Sequence, residues 1–242
     1  LSHEQDEHGV TARFLNKITQ TEFSLRAKYL VGMDGARSKI VEQLGLPLEG
    51  VMSRAGTVYV TFKADLSRHV QHRPAILQWI VNPEAGFGDI GMGLLRAISP
   101  WNEWIMGWGF DISQGEPQVT TEQVQARLDA FVGEHVPDLQ IEKISYWYVN
   151  QTYATQYSQG RVFCGGDAVH RHPPSSGLGS NTCMQDAFNL AWKLAYAVKG
   201  WAKPELLDSY SDERAPVGKQ IVARANQSRF DYKYLKDVFG FD

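Results

Sequence analysis

Gly165-Gly166-Asp167-Ala168-Val169-His170-Arg171-His172-Pro173-Pro174-Ser175-Ser176-Gly177-Leu178-Gly179-Ser180-Asn181 is the stretch on which the reading of this chain turns. Before it, Arg161-Val162-Phe163-Cys164 has the composition of a short buried strand. After it, helical spacing runs from about Asn181 to Lys199, and Gly200 stops it. The stretch therefore sets a carboxylate, Asp167, at a strand end, follows it with a Pro- and Gly-rich loop, and leads into a helix start. Strand ends in α/β sheets are ligand sites. A helix N-terminus preceded by glycines stabilises negative charge. Asp167 is suited to accept hydrogen bonds from sugar or polyol hydroxyls, so the pattern fits a cofactor with a hydroxylated chain and an electron-rich ring. The competing reading is a tight strand-to-helix turn with Asp167 capping locally. For Gly177 and Gly179 alone that reading is the better one; the coincidence of so many restrictive residues favours a ligand.

Working outward, Val10, Ala12 and Phe14, then Phe23 and Leu25, alternate with polar residues and predict a β-hairpin leading into a buried strand at Tyr29-Leu30-Val31. A short helix is expected from Ser38 to Leu44, capped by Gly45. Residues 51–150 change character. Val58/Val60/Phe62, Leu77/Trp79/Val81, Trp104/Met106/Trp108/Phe110 and Ile144/Tyr146/Tyr148 repeat with period two. Turns at Asn82-Pro83, Ser99-Pro100 and Gln114–Pro117 separate them, which predicts a mainly antiparallel sheet. One helix interrupts it, starting at Thr120-Thr121-Glu122-Gln123 with Val124, Leu128 and Phe131 inward. In the long helix, Met184, Ala187, Phe188, Ala191, Leu194, Ala195 and Val198 mark the expected buried face. Pro204 and Pro216 are each placed to start a further helix.

With 242 residues, 43% hydrophobic and 21% charged, the chain has the composition of a globular protein of one to two domains. A net charge of −3 argues against a nucleic-acid-coating protein. Seven tryptophans without a basic stripe read as sheet core, with Met92, Trp101 and Tyr146 as candidates to line an aromatic pocket. No apolar run is long enough for a membrane span. Two cysteines, Cys164 and Cys183, and a polar start without a signal peptide suggest a reducing, cytoplasmic setting. Asp167, His170 and His172 lack the further ligand of a zinc site, so no metal is expected. Asp212-Glu213-Arg214 reads as a solvated helix face with local ion pairs.

Continued by Thr182-Cys183-Met184-Gln185-Asp186-Ala187-Phe188-Asn189-Leu190-Ala191-Trp192-Lys193-Leu194-Ala195, the opening stretch resembles the second FAD-binding motif of single-component flavoprotein aromatic hydroxylases. Tyr29-Leu30-Val31-Gly32-Met33-Asp34-Gly35-Ala36-Arg37-Ser38 resembles their Asp-Gly motif, associated with FAD and the nicotinamide coenzyme. Asp65-Leu66-Ser67 through Arg73-Pro74, and Gly91-Met92-Gly93-Leu94 through Pro100-Trp101-Asn102-Glu103-Trp104, resemble the phenol and chlorophenol hydroxylase branch. The likeness covers nearly the whole chain. It implies an α/β plus antiparallel β architecture: a partial FAD-binding domain of the three-layer ββα, glutathione-reductase-like kind, with a sheet-rich substrate domain inserted. The implied division is 1–50 and 156–242 for FAD and 51–155 for the substrate.

The resemblance also implies roles. Gly166 and Asp167 would meet the ribityl chain. Gly177, Leu178, Gly179, Ser180 and Asn181 would line the pyrimidine edge of the isoalloxazine, where the helix N-terminus stabilises the anionic reduced ring. Asp34 and Gly35 would lie near the pyrophosphate. Pro174 would be the catalytic position, its carbonyl near the flavin carbon at which oxygen is activated. The implied reaction is hydroxylation of a phenol with NAD(P)H and O₂. Another flavin monooxygenase or halogenase, or a non-catalytic binding module, are the alternatives.

Two departures stand out. Val41 occupies the position of the family's usual arginine after the Asp-Gly pair, with Arg37 and Lys39 nearby. The family's opening strand–Gly-x-Gly-x-x-Gly–helix unit, which holds the ADP half of FAD, has no counterpart, since the glycines from Gly86 to Gly93 have the wrong spacing. The chain is thus read as lacking that βαβ unit and any sizeable domain beyond Phe241. By itself it is expected to be inactive, to retain little FAD, and to self-associate through uncovered apolar faces.

Overall fold

The structure, a computed structural model, describes residues 2–82 and 92–232, together with 234 and 238. Pro83, the glycines from Gly86 to Gly91, and Phe241 carry expectations that lie outside the described residues. In chain order the elements are β1 (Ser2–Gln5), β2 (Val10–Leu15), β3 (Glu22–Ala27), β4 (Leu30–Gly32), α1 (Lys39–Leu44), β5 (Leu48–Lys63), α2 (Ser67–Val70), β6 (Leu77–Ile80), β7 (Gly93–Ser99), β8 (Glu103–Phe110), α3 (Thr121–Val132), β9 (Gln140–Ala154), β10 (Ser158–Gln159), β11 (Val162–Cys164), β12 (His170–Arg171), α4 (Leu178–Val198) and α5 (Ser209–Asp231). They fall into two compact units, Leu1–Val51 with Gln151–Ser228, and Met52–Asn150 with Arg229–Asp242.

In the first unit, β1, β2 and β3 form an antiparallel sheet in that order. The β2–β3 hairpin has the expected register, with Ala12 opposite Leu25 and Phe14 opposite Phe23. The polar composition of residues 2–5 had concealed β1. Every residue of β3 is exposed, so the alternation there marks an apolar face without burying it. A second small sheet has the order β10-β11-β4, with β11 parallel to β4. The strand at Tyr29–Val31 was expected to be buried. Instead β4 is an edge strand of this sheet, and Val31 is 41% exposed for want of a neighbour on its free side among the described residues. Ser38 caps α1 by accepting the Val41 N–H at 3.0 Å, and Gly45 closes it in the left-handed conformation. The core gathers Val41, Leu46, Phe163, Cys164, Val169, Leu190, Leu207 and Tyr210.

Two helices depart from the sequence reading. In α4 the fully buried residues are Thr182, Asp186, Leu190 and Lys193, whereas Met184, Phe188 and Val198, assigned to the buried face, are exposed. The polar face is drawn inward because Asp186 and Lys193 find charged partners on α5. Pro216 does not start a helix; it lies inside α5, where it forgoes one backbone hydrogen bond. Pro204 does occupy the start of a short 3₁₀ turn, Pro204–Leu207.

The larger sheet has the strand order β12-β9-β5-β8-β7-β6, with the short β12 paired antiparallel to the end of β9; its strands between Met52 and Asn150 give the second unit the expected antiparallel sheet. Val58, Val60, Phe62, Trp104 and Met106 are fully buried, and α3 adds Val124, Leu128 and Phe131 to the same core. Thr120 and Gln123 form the anticipated capping box. The period-two set Leu77/Trp79/Val81 begins on β6, where Leu77 and Trp79 share a face. Both are exposed because β6 is the edge strand. Met92 is buried, while Trp101 and Tyr146 are half-buried against the core. Thus β11 stands in a different sheet from these strands, as the change of periodicity at both borders implied.

Candidate functional site

The two motifs meet because two short strands end side by side. Cys164 of β11 is in register with Gly32 of β4, and the Gly165 N–H continues the ladder by donating to the Gly32 carbonyl at 3.2 Å. Gly165-Gly166-Asp167 therefore leaves the sheet beside Met33-Asp34-Gly35. Asp34 is exposed and accepts the Lys39 N–H at 3.0 Å, which draws the chain into α1; Gly35 is half-buried.

After β11 the backbone makes a 3₁₀ turn, Gly166–Ala168. Gly166 has φ +62°, and a Cβ there would sit 3.2 Å from Cys183 Sγ, so both backbone and packing ask for glycine. Asp167 projects from this turn and is exposed. Cys183 Sγ approaches its carboxylate at 3.7 Å. Burial, then the nearby Asp167 and Asp186 charges, push the Cys183 thiol up to about 11, so it stays protonated at neutral pH. Arg171 donates to the carbonyls of Asp167 and Ala168 and closes the turn from outside.

The loop then passes the exposed Pro174 and reaches α4 through two successive left-handed residues, Ser176 and Gly177, each with φ 64°. Gly177 is the N-cap, and no side chain caps the helix. Asn181 donates to the Gly177 carbonyl at 3.1 Å, and Thr182 Oγ1 to that of Leu178 at 2.8 Å. The Gly177 N–H donates to the Pro174 carbonyl at 3.1 Å, so the N–H groups left without an intrahelical acceptor are those of Leu178, Gly179 and Ser180. Leu178 and Gly179 are half-buried, and Ser180 and Asn181 exposed. The position of a Cβ on Gly177 is open space. An exposed carboxylate, an uncapped helix start and an open glycine lie within one short loop. This donor and acceptor set fits a ligand with both hydroxyls and an anionic ring edge. Alongside runs an open groove of about 500 Å³, lined by Arg37, Ser38, Val41, Glu42 and Arg171 among others.

Beneath the loop is a feature the sequence reading missed. Asp186 is completely buried and accepts three hydrogen bonds: from Gly166 N–H at 3.0 Å, His170 Nε2 at 2.7 Å and Arg214 Nε at 2.8 Å. Burial by itself raises the Asp186 carboxyl; the bonds from His170, Gly166 and Arg214 outweigh it and hold it below the ordinary carboxylate value. His170 is thus engaged inside the fold, not on the loop surface. Arg214, read as part of a solvated face, is 8% exposed and ion-paired. The signal that could have shown this is the i, i+4, i+8, i+11 stripe Thr182, Asp186, Leu190 and Lys193 on α4, a helix face with charge in its middle.

A strand-end carboxylate beside an uncapped helix start, in an α/β unit interrupted in sequence by a mainly antiparallel sheet, is an arrangement suited to a nucleotide-cofactor-binding class of protein. The comparisons specify it: residues 1–225 match the FAD binding domain family, and the chain belongs to that family. It is 49% identical over 240 residues to 2,4-dichlorophenol 6-monooxygenase of Cupriavidus pinatubonensis (strain JMP 134 / LMG 1197), covering 99% of this chain and 40% of that protein. It is 46% identical over 242 residues to phenol 2-monooxygenase of Pseudomonas sp. (strain EST1001), covering 99% of the chain and 38% of the relative. Among solved structures, the flavin-dependent monooxygenase PieE in complex with FAD and substrate superposes with a TM-score of 0.88 at 42% identity, covering 100% of this chain and 41% of that one. The chain spans about 40% of the length of the curated relatives it matches. Among the described residues no helix is long and apolar enough to cross a membrane.

Proposed function

We propose that this chain holds the ribityl and isoalloxazine part of FAD in a monooxygenase that hydroxylates a phenolic ring with NAD(P)H and O₂. The observation that carries the reading is the placement of Asp167: exposed, on a turn pinned beside the Asp34-Gly35 strand end, next to the uncapped start of α4. Identity of 46–49% to phenol and dichlorophenol monooxygenases supports the reaction class. Bound FAD supplies the redox and oxygen chemistry.

The protein's part is binding and orientation. Asp167 accepts from ribityl hydroxyls, with Gly166 allowing the turn. The free N–H groups of the first turn of α4, those of Leu178, Gly179 and Ser180, stabilise negative charge on the ring edge, which Gly177 and Asn181 also line. Asp34 and Gly35 border the pyrophosphate, and the Pro174 carbonyl lies toward the reacting face. Residues 1–50 and 156–242 form the cofactor portion and 51–155 the substrate portion. Met92, Trp101 and Tyr146 are pocket candidates, Met92 from its buried place and the other two from half-buried ones. A cytoplasmic location accords with two free cysteines, and a homo-oligomer with the exposed apolar faces of β3 and α4.

The test is FAD titration of the full-length protein by flavin fluorescence, comparing Asp167→Ala with the parent. Loss of a charged acceptor costs roughly 1.5–3 kcal/mol, about 10- to 150-fold in Kd. An unchanged Kd removes Asp167 from the site. FAD binding without NAD(P)H oxidation in the presence of phenol or 2,4-dichlorophenol would favour the non-catalytic alternative.

A further inference from the structure

We propose that Asp186, with His170 and Arg214, is the positioning device of the cofactor loop: it holds the Gly165–Gly166 peptide so that Asp167 faces the ligand. The inference rests on the flavin reading of Asp167 and extends it to residues that do not themselves touch the cofactor. One carboxylate ties together four separate elements. Asp186 is on α4, Gly166 on the turn after β11, His170 on β12 and Arg214 on α5. Its Oδ2 accepts from Gly166 N–H and His170 Nε2, and its Oδ1 from Arg214 Nε. Both Asp186 and His170 have no exposed side-chain surface, so the bonds are not exchanged for water. Gly166 is the residue immediately before Asp167, and its left-handed φ is the conformation that the Asp186 bond holds from below.

The same carboxylate fixes both ends of the loop. Asp186 lies two turns into the helix whose N-terminus closes the loop, and Gly166 opens it. Any tilt of α4 relative to the turn must stretch the Gly166 bond. His170 is kept in one ring orientation, with Nε2–H donated to Asp186 and Nδ1 buried without a partner. The other ionisable groups around the network include His172, whose ring stacks on that of His170 at 6.2 Å, Tyr157 and Tyr210, whose hydroxyls burial holds neutral, and Cys183 and Asp167 above the turn.

The experiment compares His170→Leu, His170→Gln, Asp186→Asn and, as a direct-contact control, Asp167→Asn in the full-length protein. FAD Kd, the visible spectrum of bound flavin and apoprotein Tm are read for each. His170→Leu keeps the volume and loses the donor; His170→Gln keeps an N–H at the Nε2 position. Outer partners that orient a binding group are worth about 10- to 100-fold in affinity at metal sites. We expect His170→Leu and Asp186→Asn to raise the FAD Kd about tenfold or more and to shift the flavin spectrum, while His170→Gln stays within about threefold of the parent. Parent-like Kd and spectrum in a folded His170→Leu protein overturn the proposal, as does equal loss in His170→Leu and His170→Gln, which marks a packing role only. If Asp186→Asn does not fold, the two His170 variants decide. A parent-like Asp167→Asn instead sinks the flavin reading of Asp167 itself, whatever the His170 variants do.

Discussion

The hydroxyl of Tyr210, at the start of α5, donates to the carbonyl of Cys164, the last residue of β11, at 2.9 Å. Both residues are completely buried. The bond anchors α5 to the point where the chain leaves the sheet for the loop that carries Asp167. Tyr210→Phe keeps the ring packing against Tyr157 and Phe163 and removes only the donor. It is expected to destabilise the protein by about 1 kcal/mol. Urea denaturation should show a lower midpoint with an unchanged slope.

Two glycines two residues apart should respond to alanine with opposite signs. Gly177 has φ +64° and open space at its Cβ, so Gly177→Ala meets backbone strain of roughly 1–2 kcal/mol. Gly177→Asn should lose less, because asparagine tolerates that region. Gly179 lies in the first turn of α4, and its Cβ would make an ordinary contact at 3.6 Å with His172. Gly179→Ala should be neutral or stabilising by up to about 1 kcal/mol. Apoprotein Tm of the three variants checks this.

His172 makes the stability pH-dependent on the acid side of neutrality. Its Nδ1 bonds the Pro173 carbonyl at 2.8 Å, and its Nε2 is buried with no partner. Burial, reinforced by His170 and opposed by the Pro173 bond, lowers its pKa below the ordinary value. The unfolded chain therefore takes up the proton first, and that uptake favours unfolding. The contribution is complete above about pH 6.5 and declines as pH falls through that value. His172→Gln should flatten the Tm-against-pH curve between pH 7 and 5. An unaltered slope would assign the dependence elsewhere.

In the second unit, Thr120 Oγ1 accepts the Gln123 N–H at 3.3 Å and Gln123 Oε1 accepts the Thr120 N–H at 3.0 Å. Thr120→Ala removes one of these bonds and should cost about 1 kcal/mol. Because α3 carries Val124, Leu128 and Phe131 into the sheet core, the loss should appear in global unfolding, measured by circular dichroism.

Much of this protein was determined along the chain itself. Period-two runs such as Val58/Val60/Phe62 specify a strand and its inner face, and Thr120 with Gln123 specifies a helix start, because these are properties of neighbours in sequence. The strand–carboxylate–glycine–helix order around Asp167 is local in the same sense, and it marked the loop between β11 and α4 as the candidate site. Tertiary structure alone decided which apolar faces find a partner. Leu25, Val31, Trp79 and Phe188 sit on regular apolar stripes yet remain exposed, because periodicity describes a face and not what lies opposite it. Tertiary structure also brought Gly32 beside Cys164, and Asp186 of α4 to Gly166, His170 and Arg214. A buried carboxylate is tolerable only where donors from distant segments converge on it, and no local pattern records that convergence.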